Sequence, residues 1–368
     1  MDLWVMGSRA DDILARKAGA RWVQQDYSQL EAVKIWLREH HCGLVVPGCT
    51  DVSLAAAAAT AVSPHIDPPS VIDVLSDKRK FRELCRELGL PAPPVVPETA
   101  FPRAGLFICK PADSFSGRGI TIFDGNNLGD FAAARRAATG TSPTASILVE
   151  EFIAGPLYSY TVFVEQFEAT QAFFVQEGSS ANRFAVDTSF VVRDMPAALA
   201  SAFAAYVHRI SEYLDLKDGL LHIQFVLRDG QPYLIEATRR CPGDLYALLI
   251  EYATGFPYAA RYASYFIGET VTGSSDLDRF VVRHTVTSTR SGINSGLELK
   301  HPLPLRAFYP IQRMGEALLP DQKARSGVLF LETTSAEAAN DLYESFLSRE
   351  IYEDCPTTED QLPKEGYD

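Results

Sequence analysis

The sequence predicts an α/β fold whose C-terminal part is α+β, and three observations carry that prediction. The chain has 368 residues, which is more than one ordinary domain of roughly 100–200 residues. Short apolar runs alternate with a helical pattern over the first part of the chain, as in a strand–helix–strand unit with a parallel sheet. Proline-containing stretches then introduce a larger region in which short strands alternate with longer helices.

The N-terminal unit, assigned to residues 1–75, is predicted to be a small βαβ domain. Residues 3–7 are predicted to form a strand, residues 28–39 a helix and residues 43–47 a second buried strand. The first strand ends in Gly7, but no GxGxxG motif follows it. We therefore interpret this unit as scaffold and not as a dinucleotide site.

The segment 76–153 is predicted to contain a linker helix and a small subdomain. Residues 77–88 have the pattern of an amphipathic helix that Gly89 ends, and the prolines of residues 91–97 prevent the helix from continuing. The remaining elements predicted here are strands at 106–109, 119–123 and 146–152 and a helix at 128–138.

The C-terminal region, residues 154–368, is predicted to be α+β. Its strands are predicted at residues 159–164, 184–192, 220–227, 232–237 and 280–287. Its helices are predicted at residues 196–214, 244–254 and 335–347.

The charge balance points away from nucleic acid. Lys and Arg number 34 against 47 Asp and Glu, which gives a formal net charge of −13. Such a balance repels a phosphate backbone, and the sequence has no local basic patch to offset it. A small-molecule ligand is the better expectation.

The N-terminus and the cysteines predict a cytoplasmic protein. The chain does not open on a basic segment with an apolar stretch and a cleavage site, and it has no apolar run of the ~20 residues that a membrane span needs. We therefore expect no membrane contact. The cysteines are scattered without zinc spacing and are predicted to be buried, inert thiols, with Cys241 singled out only by its position beside Arg240.

The segment 110–120 is the most informative loop. Its small residues leave backbone N–H groups free to approach phosphates, and Lys110 and Arg118 bring positive charge to the same place. A tight connection between two strands is the alternative interpretation. Farther on, an apolar strand ends in two carboxylates, Glu150 and Glu151, which alone indicate only an exposed strand end.

Two neighbouring strands carry polar side chains at alternate positions. Two-residue periodicity puts His222 and Gln224 on one face of the first strand, and Glu236 and Thr238 on one face of the second. If these faces coincide, Glu236 and Gln224 suffice for Mg²⁺ bound to nucleotide phosphates, which asks the protein for one or two oxygen ligands. Arg239 and Arg240 follow directly.

At these positions the sequence resembles the ATP-grasp superfamily, and more closely its carboxylate–amine ligases such as the L-amino acid ligases. The resemblance covers about residues 76–255 and rests on four separated motifs in the family's order. It implies an ATP-grasp fold with a short Rossmann-like domain before it, a mobile lid and a C-terminal domain with an antiparallel sheet. The residues that it assigns to ATP are Lys78, Lys110, Ser114, Ser116, Gly117, Arg118, Gly119, Glu150, Glu151, Phe152, Ile153 and Ser159.

Within that set, Lys78 and Lys110 match the family's two nucleotide lysines, and residues 114–119 match the flap over the triphosphate. Residues 150–153 match the hinge that recognises adenine through a carboxylate and backbone groups. Gln224, Glu236 and Thr238 match metal-ligand positions, and Arg240 matches the arginine that contacts the transferred phosphate.

The resemblance implies a ligase that uses ATP and Mg²⁺. A small carboxylate, expected to be an amino acid, attacks ATP to form an acyl phosphate, and an amine then displaces phosphate. Arg240, Lys110 and His222 are the catalytic candidates, although His222 on a half-buried strand is also consistent with a core residue. The substrate candidates are Arg283, Arg290, Gly243 and Asp244, and an exposed salt bridge is the alternative role for each of the two arginines.

Three residues depart from the family's pattern. Leu157 stands at the usual ribose glutamate, Gln224 at the first metal glutamate and Thr238 at an asparagine. They leave open a nucleotide-binding regulatory or scaffold protein without turnover, and a carboxylase or carbamoyl-phosphate type enzyme is a third alternative. The sequence does not decide the number of subunits, with a homodimer as an alternative to a monomer.

Overall fold

The computed structural model describes residues 2–10, 12–60, 65–114, 117–320 and 325–357. Its helices are α1 Ile13–Ala18, α2 Leu30–Glu39, α3 Asp51–Thr60, α4 Pro69–Ser76, α5 Lys78–Glu87, α6 Leu128–Thr141, α7 Ala197–Leu214, α8 Tyr246–Thr254, α9 Tyr258–Ile267 and α10 Ala336–Leu347. Its strands are β1 Val5–Gly7, β2 Trp22–Gln24, β3 Leu106–Pro111, β4 Thr121–Asp124, β5 Ile147–Glu151, β6 Leu157–Glu165, β7 Glu168–Gly178, β8 Thr188–Val192, β9 Gly219–Arg228, β10 Gln231–Thr238, β11 Phe280–Thr287, β12 Gly292–Leu299, β13 Leu305–Pro310, β14 Ala317–Leu318, β15 Arg325–Thr333 and β16 Tyr352–Thr357.

The N-terminal βαβ unit is present, but its second strand is not the predicted one. β1 pairs in parallel with β2, and α1 connects them. Residues 43–47, predicted as a buried strand, are not a strand in the structure, and Leu44 and Val46 are 38% and 40% exposed. A short apolar run predicts extended backbone but does not choose a pairing partner, and here β2 occupies the edge of β1.

A three-stranded antiparallel sheet with α6 against it forms the small subdomain. β3 lies in the centre between β4 and β5. Its core contains Phe107, Phe123 and Val149, with Ala134 and Ala138 of α6 packed against them. The predicted strands and helix of this segment are confirmed to within a few residues.

The C-terminal region is built on an eight-stranded antiparallel sheet in the order β10-β9-β6-β7-β8-β11-β15-β13. A separate three-stranded sheet has the order β14-β12-β16. Strand β7 and helix α9 were not predicted from the sequence. β7 carries charged or polar residues at both ends, which hide its apolar centre of Phe173, Phe174 and Val175.

The large sheet has a different core on each face. On one face Phe81 of α5 and Phe203 of α7 pack against Ile223 and Phe225 of β9. On the other face the core is formed by α8 and α9 with residues such as Tyr246, Tyr258 and Phe163. Because successive strand residues point to opposite faces, filling the first face with Ile223 and Phe225 turns His222 and Gln224 toward the second.

Helix α5 connects the subdomain to the large sheet. Asp77 caps its N-terminus by accepting from the Arg79 and Lys80 backbone N–H groups at 2.8 and 3.1 Å. α4 packs against α5 and β10, so the proposed boundary at residue 75 falls inside a helix. The boundaries at residues 75 and 153 stay predictions. None of the described helices combines the length and apolarity needed to cross a membrane.

Candidate active site

A buried ion-pair cluster joins the subdomain to α5. Glu150 of β5 is fully buried, and its Oε2 accepts from Lys110 Nζ at 2.7 Å while its Oε1 contacts Arg82 Nε. The β3–β5 register places Glu150 beside Ile108, two residues from Lys110. The Arg82 Nη1 and Nη2 atoms have no hydrogen-bond partner among the described residues. The cluster therefore holds two cations and one carboxylate.

Burial and their mutual interaction shift the pKa values of Lys110 and Glu150. Burial lowers the pKa of Lys110, but Glu150 opposes that shift. Burial alone raises the pKa of Glu150, yet Lys110 and Arg82 together hold it below its usual value. Both carboxylate oxygens are engaged within the cluster, and the contact of Glu150 with the adenine amine stays a prediction. Glu150 is the counter-ion that orients Lys110.

Lys78, the first residue of α5, links the phosphate loop to the metal strand. Its Nζ donates to the Ser114 carbonyl at 2.7 Å and lies 3.9 Å from Glu236 Oε2. The Lys78 side chain is 11% exposed. Lys78 thus lies within electrostatic range of both Lys110 and Glu236.

The loop after β3 needs its glycines. Gly117 and Gly119 have φ of +68° and +71°, in the left-handed region. A Cβ on Gly117 would lie 2.6 Å from the Phe184 carbonyl oxygen, so the loop packs against another loop there. Arg118 is exposed. Ser116, also predicted to contact ATP, lies outside the described residues.

The predicted hinge, residues 151–153, leads from β5 toward β6. The Glu151 and Phe152 backbone N–H groups donate to the Pro94 and Leu106 carbonyls at 3.0 and 2.9 Å. These two N–H groups are therefore not available to adenine, and the contact of other backbone groups of residues 150–153 with adenine stays a prediction. Arg183 lies 5.1 Å from the Phe152 ring centroid, and Ile153 is buried.

The predicted metal-binding faces of β9 and β10 do coincide. Glu236 pairs with Gln224 and Thr238 pairs with His222 across the antiparallel ladder, next to a bulge between Leu234 and Glu236. The Glu236 side chain is 46% exposed, so its carboxylate is open to a ligand. The predicted alternation of these side chains is confirmed.

Glu177 of β7 is a site residue that was not predicted from the sequence. Gln224 Nε2 donates to Glu177 Oε2 at 2.6 Å, which leaves the Gln224 amide oxygen for other partners. Burial raises the pKa of Glu177 to about 7, although hydrogen bonds from Ser159 and Gln224 oppose the shift. Glu177 could be predicted only together with β7, whose strand pattern the sequence analysis did not detect.

Ser159 lies inside this network and not on a ribose surface. It is fully buried in β6 opposite Gln224, and its Oγ is 2.9 Å from the Tyr246 hydroxyl. We therefore correct its assignment from cofactor contact to a buried hydrogen-bonding residue beneath the metal face.

Arg240 is held by Asp51, the first residue of α3. Its Nε and Nη2 reach the two carboxylate oxygens of Asp51 at 2.7 and 3.0 Å, which is a bidentate pair. Burial alone lowers the pKa of Arg240, but Asp51 raises it above its usual value. Thr238 Oγ1 lies 3.4 Å from Asp51 Oδ1. The neighbouring Arg239 is buried, and its Nε donates to Asp67 Oδ2 at 2.7 Å, so we assign it a structural role.

His222 is neutral in this site. It is 6% exposed, its ring meets the Tyr246 ring edge to face at 5.4 Å, and its Nδ1 has no hydrogen-bond partner in the described part of the chain. Burial lowers the pKa of His222 to about 3, and Arg240 adds to the shift. A neutral imidazole can accept a hydrogen bond here but does not supply a positive charge.

The structure brings three of the four substrate candidates together. Arg283 of β11 is 2% exposed and donates from Nε to Ser189 Oγ and from Nη1 to the Asp244 carbonyl, both at 2.9 Å. Gly243 precedes Asp244, whose carboxylate contacts Arg325. Asp244 has φ of +53°, a left-handed conformation that is strained for a non-glycine residue.

Arg290 does not join them within β11. It is exposed in the turn after that strand, where its backbone N–H donates to Ser288 Oγ at 3.0 Å. The arginine that does stand beside Asp244 is Arg325 of β15, which was not among the residues selected from the sequence.

Electrostatic interactions connect these groups into one site. Glu177 lies within electrostatic range of both Glu236 and Arg283, and Glu236 within range of Arg240. The described residues contain no group of three or more His, Cys, Asp or Glu side chains arranged for a metal. One carboxylate and one amide oxygen nevertheless fit Mg²⁺, which keeps most of its ligands from phosphates and water.

Comparison with known proteins gives this architecture its class. The chain has the fold of the phosphoribosylglycinamide synthetase from Anaerococcus prevotii, with a TM-score of 0.70, 14% identity and coverage of 93% of this chain and 90% of that one. It is about as similar to the L-amino acid ligase from Bacillus licheniformis, with a TM-score of 0.69, 17% identity and coverage of 91% and 86%.

The family model of the ATP-grasp domain matches residues 75–243. The match covers the segment in which the motifs of the sequence predicted such a domain. The carbamoyl phosphate synthase large chain of Mycobacterium tuberculosis strain H37Rv is 26% identical over 238 residues, which cover 61% of this chain and 21% of that one. The large chain from Deinococcus radiodurans is 24% identical over 260 residues, covering 66% and 24%. This chain thus matches about a fifth to a quarter of the length of these relatives.

Proposed function

We propose that the chain is an ADP-forming ligase that activates a small carboxylate as an acyl phosphate and joins it to an amine. The observation that carries the proposal is a series of polar groups, each within ion-pair, strand-register or electrostatic range of another. The groups are Lys110, Lys78, Glu236, Gln224, Arg240 and Arg283. One end of this series suits a polyphosphate and the other end a carboxylate. Phosphoryl transfer between the two needs them in a single site.

The cationic end supports ATP binding. Lys78 and Lys110 come from different elements, and neither is consumed by a one-to-one ion pair: Lys78 lies 3.9 Å from Glu236, and Lys110 shares Glu150 with Arg82. Fixed positive charges lower the energy of the charge that spreads over the phosphoryl oxygens. The glycines of the Ser114 to Gly119 loop suit a backbone that closes over phosphates.

Glu236 and the Gln224 amide oxygen would hold Mg²⁺ between them. A bound Mg²⁺ would neutralise charge on the bridging phosphate oxygens. Glu177 keeps the Gln224 amide in the required orientation by accepting from its NH₂ group. Thr238, whose hydroxyl donates to Asp51, would act on the metal through water.

Arg240 is placed to meet the transferred phosphoryl group, and Arg283 to meet the substrate carboxylate. Arg240 would exchange part of its Asp51 contact for phosphate oxygens as charge develops. Arg283, whose Nη1 donates to the Asp244 carbonyl at this strained turn, would place its positive charge beside the substrate carboxylate. His222, neutral and next to Arg240, would accept a hydrogen bond from the incoming amine.

An amino acid is the proposed carboxylate. The support is the L-amino acid ligase among the proteins of the same fold, together with the two arginines, Arg283 and Arg325, that flank Asp244. A cation and a carboxylate in one pocket match the two charges of an α-amino acid. The amine, the number of subunits and a cytoplasmic location remain proposals that rest on the sequence.

The test is ADP and phosphate release from Mg-ATP with pooled amino acids and small carboxylates, with and without amines, and mass spectrometry of the products. We expect release that depends on two substrates and a product equal to their sum minus water. Glu236→Gln should lower kcat by at least about 100-fold, while Glu39→Gln on the exposed end of α2 should not change it. ATP binding without release from any pool would instead favour a nucleotide-binding protein without turnover.

A further inference from the structure

Two cysteines far apart in sequence meet beside the candidate site. Cys49 is exposed and Cys241 is buried, both are free thiols, and the two side chains interact electrostatically. Neither takes part in the proposed ligation. The sequence predicted inert thiols, because a spacing of this length gives no sign of a pair.

Hydrogen bonds on both sides of Cys49 fix this contact. Two residues before it, the Pro47 carbonyl accepts from the Tyr262 hydroxyl at 3.2 Å, and Tyr262 lies within electrostatic range of both Cys49 and Cys241. Two residues after it, Asp51 forms the bidentate pair with Arg240, the neighbour of Cys241. The segment 47–51 is therefore anchored at both ends to the residues around Cys241.

We infer that Cys49 and Cys241 form a dithiol modification site, at which a hydroperoxide converts the two thiols into an intramolecular disulfide. The disulfide would tie residues 47–51 covalently to the loop that carries Arg240. The site is distinct from the phosphate and metal residues but adjacent to them.

The oxidation balances with one peroxide. The Cys49 thiolate attacks a peroxide oxygen, the O–O bond breaks, and Cys49 becomes a sulfenic acid while hydroxide leaves and takes up a proton to become water. Cys241 sulfur then attacks the Cys49 sulfur, the S–O bond breaks, and the leaving hydroxide takes the Cys241 proton to form a second water. Two thiols lose two electrons, and the peroxide gains them.

The surroundings set the order of these steps. The interaction with Cys241 lowers the pKa of Cys49, and Arg240 adds to that shift. The same interaction and burial raise the pKa of Cys241. Cys49, which is also the exposed partner, is thus the attacking thiolate, and Cys241 resolves the sulfenic acid.

The other described thiols are poor competitors. Burial raises the pKa of Cys85 to about 11 and of Cys109 to about 12, and it also raises the pKa of Cys42. Thiols that stay protonated react slowly with peroxide. Cys42, which is half-exposed, is the natural control.

The effect on activity rests on the proposed function. Arg240 would exchange its Asp51 contact for phosphate oxygens during transfer. A disulfide two residues from Asp51 and one residue from Arg240 would hold this ion pair closed. We expect the oxidised protein to lose at least about 10-fold in kcat and to regain it with dithiothreitol.

The experiment treats the full chain with a small excess of hydrogen peroxide, blocks free thiols and maps every cysteine by mass spectrometry. The proposal predicts a Cys49–Cys241 cross-linked peptide in near-stoichiometric yield in the wild type and in Cys42→Ser. It predicts none in Cys49→Ser, which changes an exposed side chain and should fold normally, and circular dichroism checks that each variant is folded. Cys49 over-oxidised without a cross-link, or paired with another cysteine, would overturn it.

Turnover measured on the same samples separates the two proposals. Reversible loss of kcat in the wild type and Cys42→Ser, with Cys49→Ser resistant to peroxide, supports the link to Arg240. A disulfide with unchanged kcat would overturn that link. If the reduced protein turns over no substrate pool, the proposed ligase function fails, while the peptide map still decides the dithiol site.

Discussion

Glu177 shows how one buried side chain couples the candidate metal site to pH. Its pKa is raised to about 7 by burial, from an ordinary value of 4.5, so the folded state binds its proton more tightly than the unfolded state does. Folding stability attributable to this group is therefore fully present below pH 4.5 and falls as pH rises to about 7. The total loss is about 3 kcal/mol by the usual conversion.

We predict that Glu177→Gln removes this pH dependence. The difference in the free energy of unfolding between the variant and the wild type should grow in the variant's favour from about pH 5 to about pH 8. Urea denaturation at both pH values measures it. The buried histidines His222 and His284, whose stability contributions are lost in acid, are present in both proteins and cancel in the difference. A difference that does not change with pH would contradict the assignment.

The Glu150 cluster predicts a large cost for a small chemical change. Glu150→Gln leaves Lys110 and Arg82 buried without their counter-ion, and breaking a buried pair in this way costs about 3–5 kcal/mol. Glu151→Gln is the matched control. The Glu151 side chain is 39% exposed and forms an ion pair with Arg103, so this substitution should cost under about 1 kcal/mol. Chemical denaturation of both variants decides this. Equal losses would mean that the cluster does not stabilise the fold.

At the scale of elements, the loop after β3 is the part most sensitive to backbone shape. Gly117→Ala would add a Cβ 2.6 Å from the Phe184 carbonyl oxygen at a φ of +68°. We expect the loop to move away from Phe184 and the KM for ATP to rise by about 10-fold or more. Isothermal titration with a nonhydrolysable ATP analogue measures the same loss as binding.

Gly230→Ala separates the clash from the backbone strain. Gly230 has φ of +76° in the β9–β10 turn, but no atom of the described residues lies within 4 Å of the position that a Cβ would take there. It should therefore lose only the roughly 1 kcal/mol of a left-handed alanine and keep its ATP affinity. Equal effects on ATP binding in both variants would show that the contact with Phe184 is irrelevant.

The elements also show where sequence patterns suffice. Amphipathic helix α5, the hairpin β9–β10 and strand β11 follow from local periodicity, which is fixed by neighbouring residues. The run at residues 43–47 and strand β7 do not, because pairing depends on which distant strand edge is available. Alternation along β9 and β10 is local, so the shared face of Gln224 and Glu236 was predictable, whereas the pairing of β1 with β2 was not.

At the scale of the whole molecule, the site is assembled from distant parts of the chain. Asp51, Arg82 and Glu177 each bind a residue that had been selected from the sequence, namely Arg240, Glu150 and Gln224. Motif spacing identifies the selected residues. Their partners lie 47 to 189 positions away, and only the fold brings them close. The sequence therefore indicates candidate groups but not the residues that contact them.

The acyl phosphate is the central claim, and oxygen transfer tests it directly. We would supply amino acids and small carboxylates labelled with ¹⁸O in the carboxyl group, together with Mg-ATP and amines, and analyse the phosphate by mass spectrometry. If the carboxylate attacks ATP and the amine then expels phosphate, each phosphate released carries one labelled oxygen. Phosphate without label, released together with the amide product, would contradict the account.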